Sequence, residues 1–257
     1  MSQKIAPENL GGRSSFASSA ASSRQLKAMK VFAIMQEQIN LRDAVVLDVG
    51  TGSGQMAALW AEHCQTLHSV DVCDQRVTDA GYHFSLIENE VLPFVDGAFD
   101  AVISNQVVEH VWDQEMHIRE IARVLKPNGV AYLSTPNRFC LMEPHHRLPL
   151  LAWFGDRVAI TYLKLFRGKD WDVKLLSYRK LYKMLSSYFK IVDAVPQVMS
   201  RPLHFHQTRN ERLARWLSRV PSILWQSRIN VCLPSFMIIL KKHRCGKTCS
   251  ANVNNQS

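Results

Sequence analysis

Val45-Val46-Leu47-Asp48-Val49-Gly50-Thr51-Gly52-Ser53-Gly54-Gln55 reads as a buried strand, a tight turn and a helix start in direct succession. An apolar run enters glycines at alternate positions, and a helix-like stretch from Met56 to His63 follows. Alternating glycines let a backbone approach a ligand closely and take dihedrals that a Cβ forbids. A helix start offers unpaired N–H groups to a polar or anionic group. The segment therefore predicts a nucleotide-like ligand on the turn, although glycine-rich turns also occur without one.

The dinucleotide fingerprint requires G-x-G-x-x-G. Here the third glycine comes one residue early, at Gly54, and Gln55 follows. A second apolar segment, Leu67 to Val70, ends in Asp71, whose carboxylate can accept hydrogen bonds from ribose hydroxyls.

Three further segments bear on the ligand. They are Leu92-Pro93-Phe94-Val95-Asp96-Gly97-Ala98-Phe99-Asp100, the strand-like Ala101 to Asn105, and Arg119-Glu120-Ile121-Ala122-Arg123-Val124-Leu125-Lys126-Pro127-Asn128-Gly129 before Val130 to Ser134. With the glycine turn, these resemble the class I S-adenosylmethionine-dependent methyltransferases over about residues 45–135, in order and at family spacing. The resemblance implies S-adenosyl-L-methionine as cofactor and a seven-stranded, Rossmann-like sheet with an antiparallel last strand. It implies cofactor contacts from Asp48, Gly50, Thr51, Gly52, Ser53, Gly54 and Asp71, from Glu88 and Asn89 at adenine, and from Asn105 at the methionyl end. Asn128 replaces the usual glycine, a change that asparagine's tolerance of left-handed dihedrals would soften. Glu88 replaces the usual aspartate before the Leu-Pro-Phe segment, lengthening that carboxylate's reach.

The coarse reading is a helix at about 25–39, strands at 45–49, 67–72, 85–88 and 100–104, a helix at 114–125 and a strand at 130–135. After an insertion come a helix at 178–188, a strand at 190–195, a second insertion and a last strand at 236–241. Strands alternating with helices predict a doubly wound, mainly parallel α/β sheet. In such sheets ligands bind outside the carboxyl ends of the strands, where the candidate residues fall. The expected organisation is a flexible segment 1–25, a methyltransferase domain 26–243 with insertions at about 136–171 and 196–234, and a flexible tail 244–257.

With 257 residues, 47% of them apolar, the chain can bury a full core. No apolar run reaches eighteen residues, no repeat appears, and no continuous apolar segment follows the first basic residues as in a secretory signal. Six scattered cysteines predict reduced thiols in a cytoplasmic protein. His243 to Cys249 reads as polar tail, and no metal site is expected.

Charge is divided along the chain. Residues 1–114 hold seven Lys and Arg against fourteen Asp and Glu, a balance of −7; residues 115–257 hold twenty-four against eight, +16. The acidic half suits a sulfonium cation. The basic half suits an acidic partner: a phosphorylated substrate, an anionic membrane surface or nucleic acid, or else it is simply solvated. Within the second insertion, Leu213, Trp216, Leu217 and Val220 recur at helical spacing, with Arg212, Arg215 and Arg219 on other faces. That pattern fits an interfacial helix or an apolar stripe packed on the domain.

Removing a proton from an acceptor at neutral pH suits histidine. The candidates are His110, just after the fourth strand, and the pair His145 and His146 in the first insertion; each also admits a structural role. The Asn/Asp-Pro-Pro-aromatic tetrapeptide of nucleobase amino methylation is replaced by Ser104-Asn105-Gln106-Val107. The expected function is methyl transfer to a hydroxyl, before a carbon, of a small, sugar- or lipid-linked metabolite, with peripheral contact to an anionic membrane. A nucleic-acid or protein methyltransferase and a non-catalytic cofactor-binding module are the alternatives.

Overall fold

The computed structural model describes residues 11–142, 148–151, 153, 155–168, 173–208, 210–221 and 233–243, with backbone alone for 11–23, 156 and 167. His145 and His146 lie outside the described residues.

Seven strands form one sheet: β1 (Val45–Val49), β2 (Thr66–Asp71), β3 (His83–Leu86), β4 (Phe99–Asn105), β5 (Leu125–Pro136), β6 (Phe189–Asp193) and β7 (Ser235–Lys242). Their order is β3-β2-β1-β4-β5-β7-β6. Pairing is parallel from β3 to β5, whereas β7 runs antiparallel to both of its neighbours.

Both faces of the central strands are covered, which is why β1 reads as continuous apolar sequence rather than as alternation. Leu47 and Val49 pack on one face with Ile118 and Ile121 of α3 (Gln114–Val124) and Leu181 and Leu185 of α5 (Tyr178–Ser186). Val46 faces the opposite layer, with Val31, Ile34 and Met35 of α1 (Gly11–Gln36) and Trp60 of α2 (Gln55–Ala61). α3 starts where the Asp113 carboxylate accepts from the N–H groups of Glu115 and Met116, an N-cap that ends the preceding loop.

Two expectations need correction. α1 is helical from Gly11, not from about residue 25. Apolar periodicity marks only the part that packs on the sheet, from Ala28 onward, while Ser and Ala upstream permit a helix without signalling one. Asn128 does not take left-handed dihedrals: Gln106, Leu150 and His206 are the non-glycine residues at positive φ among those described. Residues 126–129 instead continue extended into β5, with a register shift opposite Phe99 and Ala101.

Arg123 joins two of the family-like segments. Its guanidinium donates to the carbonyls of Leu92 and Phe94 and to the carboxylates of Asp96 and Glu120, at 2.7–2.9 Å. Glu120 in turn accepts from the Leu92 N–H at 2.9 Å. The Leu-Pro-Phe segment is thereby clamped to α3.

The first insertion holds α4 (Asp156–Arg167), whose Ala159 and Leu163 form a small separate core with Leu148 and Leu151. The second holds α6 (Val195–Ser200) and α7 (Glu211–Arg219). It is braced on α1 and the residue after it: Glu37 pairs with Arg201 and His204, and Lys30 donates to Gln207. No helix of the described residues is long and apolar enough to cross a membrane.

Candidate active site

The glycine turn leaves β1 beneath the carboxyl ends of its neighbours. Gly50 has φ +83°, and a Cβ there would strike Val107, so the turn and the loop after β4 touch at a point that only glycine permits. Its N–H and that of Thr51 donate to the Val70 carbonyl of β2. Gly52 has φ +52°, and a Cβ at that position would stand in open space. Its N–H donates to Asp71 Oδ2 at 2.8 Å, so the turn and the β2 carboxylate are a single unit. Gly54 begins α2 at φ +74° and faces away, against the Tyr82 hydroxyl and the Thr78 carbonyl.

A cavity of about 740 Å³ opens over the carboxyl ends of β1 to β4. Gly50, Gly52, Asp71, Glu88, Asn89 and His110 all line it. Residues from the first four strand ends are thus brought to one crevice, as the switch-point rule for open α/β sheets requires. Asp48, Thr51, Ser53, Gly54 and Asn105 lie outside its lining. Thr51 instead bonds Ser69 behind the turn, and Asn105 accepts from the Ser134 hydroxyl at 2.6 Å. Gln106, at φ +61°, lines the crevice in place of Asn105.

Trp112 and His117 also line the crevice, and neither follows from sequence. Trp112 is 84% exposed at the mouth, with the Lys174 ammonium 4.2 Å from its ring centroid. Its N–H and that of Asp113 donate to Glu90 Oε1, which ties the loop after β3 to the start of α3. His117 is buried on α3, with Nε2 2.9 Å from Ser104 Oγ. Burial lowers its pKa to about 4, so the ring stands neutral in the wall. In sequence it occupies an ordinary inward position of an amphipathic helix, so no local signal marks it.

The electrostatics favour a cation. Asp71, Glu88 and Glu90 face the crevice, and Asp48 lies buried at 1% exposure at the end of β1. Burial drives the Asp48 pKa up to about 7; the Ser69 hydroxyl opposes that shift and Asp71 adds to it. Asp48 Oδ1 has no hydrogen-bond partner. An orphaned carboxylate oxygen beside a turn with room at Gly52 fits a ligand carrying both an ammonium group and a ribose. S-adenosylmethionine has both, and the residues present fit it.

Known proteins resemble this chain in sequence and in fold. Residues 47–133 match the methyltransferase domain family. A Mycolicibacterium smegmatis protein, named as a probable S-adenosylmethionine-dependent methyltransferase, is 35% identical over 110 residues, covering 41% of this chain and 42% of its own. A likewise named Mycobacterium tuberculosis protein is 37% identical over 98 residues, 36% of each chain. The chain thus spans about two fifths of the length of the curated relatives it matches. Among solved structures, the YcgJ protein of Bacillus subtilis superposes with a TM-score of 0.51 at 18% identity, covering 85% of this chain and 99% of that one. An S-adenosylmethionine-dependent methyltransferase from Mesorhizobium loti also gives 0.51, at 16% identity over 86% of this chain and 97% of its own. Residues 47–133 thus form a methyltransferase domain similar to those of the S-adenosylmethionine-dependent methyltransferases.

Proposed function

We propose that this protein transfers the methyl group of S-adenosylmethionine to a hydroxyl of a small metabolite carried on a sugar or a lipid, in the cytoplasm or at a membrane surface. The observation that carries the reading is the crevice itself: Gly50, Gly52 and Asp71 on one wall and His110 on another, over one cavity. Bound there, the cofactor supplies an electrophilic methyl on a sulfonium.

Asp71 holds the ribose and Glu88 and Asn89 the adenine, while Asp48 lies buried beneath the turn. Asp48, Asp71 and Glu88 oppose the cofactor's positive charge and fix its direction, and alignment supplies much of the acceleration in a displacement of this kind. His110 is exposed, lines the crevice and receives the proton of the acceptor hydroxyl. His145 and His146 are the rival bases, and full turnover in both His145→Ala and His146→Ala would leave the role to His110.

A hydroxyl acceptor gains support from a Coxiella burnetii relative named ubiquinone biosynthesis O-methyltransferase, 29% identical over 113 residues, 40% of this chain and 48% of its own. Incubation with methyl-labelled cofactor and fractionated metabolite and lipid extracts tests the reading. Label in an alkali-stable ether of a small or lipid-linked product supports it. Label confined to nucleic acid or protein favours the second class of acceptor, and absence of label favours a binding module.

A further inference from the structure

α7 carries more apolar surface than it buries. At 3.6 residues per turn its side chains fall into three adjoining flanks. Ala214 and Leu217 share the first, Leu213 and Trp216 the second, and Arg212, Arg219 and Arg215 the third. The first flank packs inward: Ala214 is buried and Leu217 partly so, with α6 alongside. The second does not. Leu213 is 44% exposed and Trp216 62% exposed, and among the described residues Trp216 stacks on no other ring. The three arginines of the third flank are exposed, and among the described residues none pairs with a carboxylate.

An apolar stripe packed on the domain would have hidden Leu213 and Trp216. The structure instead leaves them beside a row of exposed guanidinium groups that pair with no carboxylate among the described residues. Tryptophan at the seam between an aliphatic flank and a basic one suits the boundary between acyl chains and headgroups. The bracing of the second insertion on α1 and the residue after it, through Lys30–Gln207 and Glu37–Arg201, holds this segment to a rigid scaffold.

We propose that α7 is a membrane-docking element that seats Trp216 and Leu213 in the interface of an anionic lipid surface, with Arg212, Arg215 and Arg219 on its headgroups. Lipid is preferred over nucleic acid because a row of phosphates would satisfy the arginines yet leave Leu213 and Trp216 in water. Docking of this kind concentrates the enzyme where a lipid-linked acceptor resides. In that respect it rests on the proposed function, although docking itself needs no methyl transfer.

The test is flotation of the full chain, without methyl donor, on phosphatidylcholine vesicles, plain or mixed with phosphatidylglycerol. The wild-type protein is expected to float only with the anionic vesicles and to be released by salt. The Leu213→Ala/Trp216→Ala double variant should lose at least about tenfold in partitioning, and Arg212→Glu/Arg215→Glu/Arg219→Glu at least as much. Lys183→Glu, an exposed charge reversal on α5, should float as wild type does. Turnover of a water-soluble acceptor should be unchanged in the Leu213→Ala/Trp216→Ala protein. Failure of the wild type to float, flotation that α7 variants leave intact, or binding of single-stranded DNA that displaces the vesicles would overturn the proposal. Flotation without turnover on any acceptor would overturn the proposed function and leave the docking element standing.

Discussion

At the scale of single residues, two carboxylates near the glycine turn stand in opposite environments. Asp71 accepts from the Gly52 N–H and, more weakly, from the Cys73 N–H, so it shapes the turn as well as facing the crevice. Asp71→Ala should weaken binding of S-adenosylmethionine and of its demethylated product by about 1.5–3 kcal/mol, the scale of a lost charge-assisted hydrogen bond. Titration calorimetry reads this directly, and unchanged affinity would remove Asp71 from the site. Asp48 is the opposite case, a carboxyl held in a place that disfavours its charge. Its folded pKa of about 7 stands above its ordinary 3.8, so the neutral form is the one folding prefers. The stabilisation is complete below pH 3.8 and is lost as pH rises through 7. Asp48→Asn keeps a neutral group there. It should stabilise the ligand-free protein increasingly across that window, by about 1.4 kcal/mol per pH unit as an upper limit, while weakening cofactor binding. Urea unfolding at pH 5 and pH 8 checks the sign. A variant less stable than wild type at pH 8 would show that Asp48 is not strained by burial.

At the scale of elements, the clamp at Arg123 explains why two family-like segments thirty residues apart in sequence occur together. The Leu-Pro-Phe stretch has few backbone partners of its own, and Arg123 takes up two of its carbonyls while Glu120 takes the Leu92 N–H. Arg123→Ala should destabilise the domain by about 3 kcal/mol, because Glu120, only 6% exposed, loses its countercharge and two carbonyls lose their donor. Arg123→Lys should recover only part of this, since an ammonium cannot serve the same fork of acceptors. Denaturant midpoints for the two variants supply the comparison. Equal loss in both would point to packing of the aliphatic stem instead. The clamp also positions Leu92 in the crevice wall, so cofactor affinity should fall with stability in Arg123→Ala.

At the scale of the whole molecule, the sequence divides into an acidic part that holds the crevice and a basic C-terminal part that carries the proposed docking helix. If the crevice takes S-adenosylmethionine, ligand at a hundred times its dissociation constant should add about 2.7 kcal/mol of stability. For a domain of this size that corresponds to a rise of about 5–10 °C in Tm. NAD at the same concentration should leave Tm unchanged, since the third glycine of the dinucleotide fingerprint is displaced. Thermal scans with both ligands make the test. A larger rise with NAD would reassign the crevice.

The alternation of strands and helices was within reach of the sequence, because fully buried parallel strands and alternating glycines leave local marks that tertiary context does not override, whereas the antiparallel last strand was legible only through the family resemblance. That Asp71, Glu88, Asn89 and His110 would line the crevice was legible from their positions at or just after strands and, for Glu88 and Asn89, from the family resemblance. The remainder depended on contacts between distant segments. His117 and Trp112 enter the crevice only because α3 packs against β4 and Glu90 draws the loops together. Asn105 turns to Ser134 and yields its place to Gln106, a choice made by the neighbouring strand. The periodicity of α7 was plain in the sequence, but which flank would be covered was not. Burial is a property of what a face meets, and the sequence of a helix states only what that face offers.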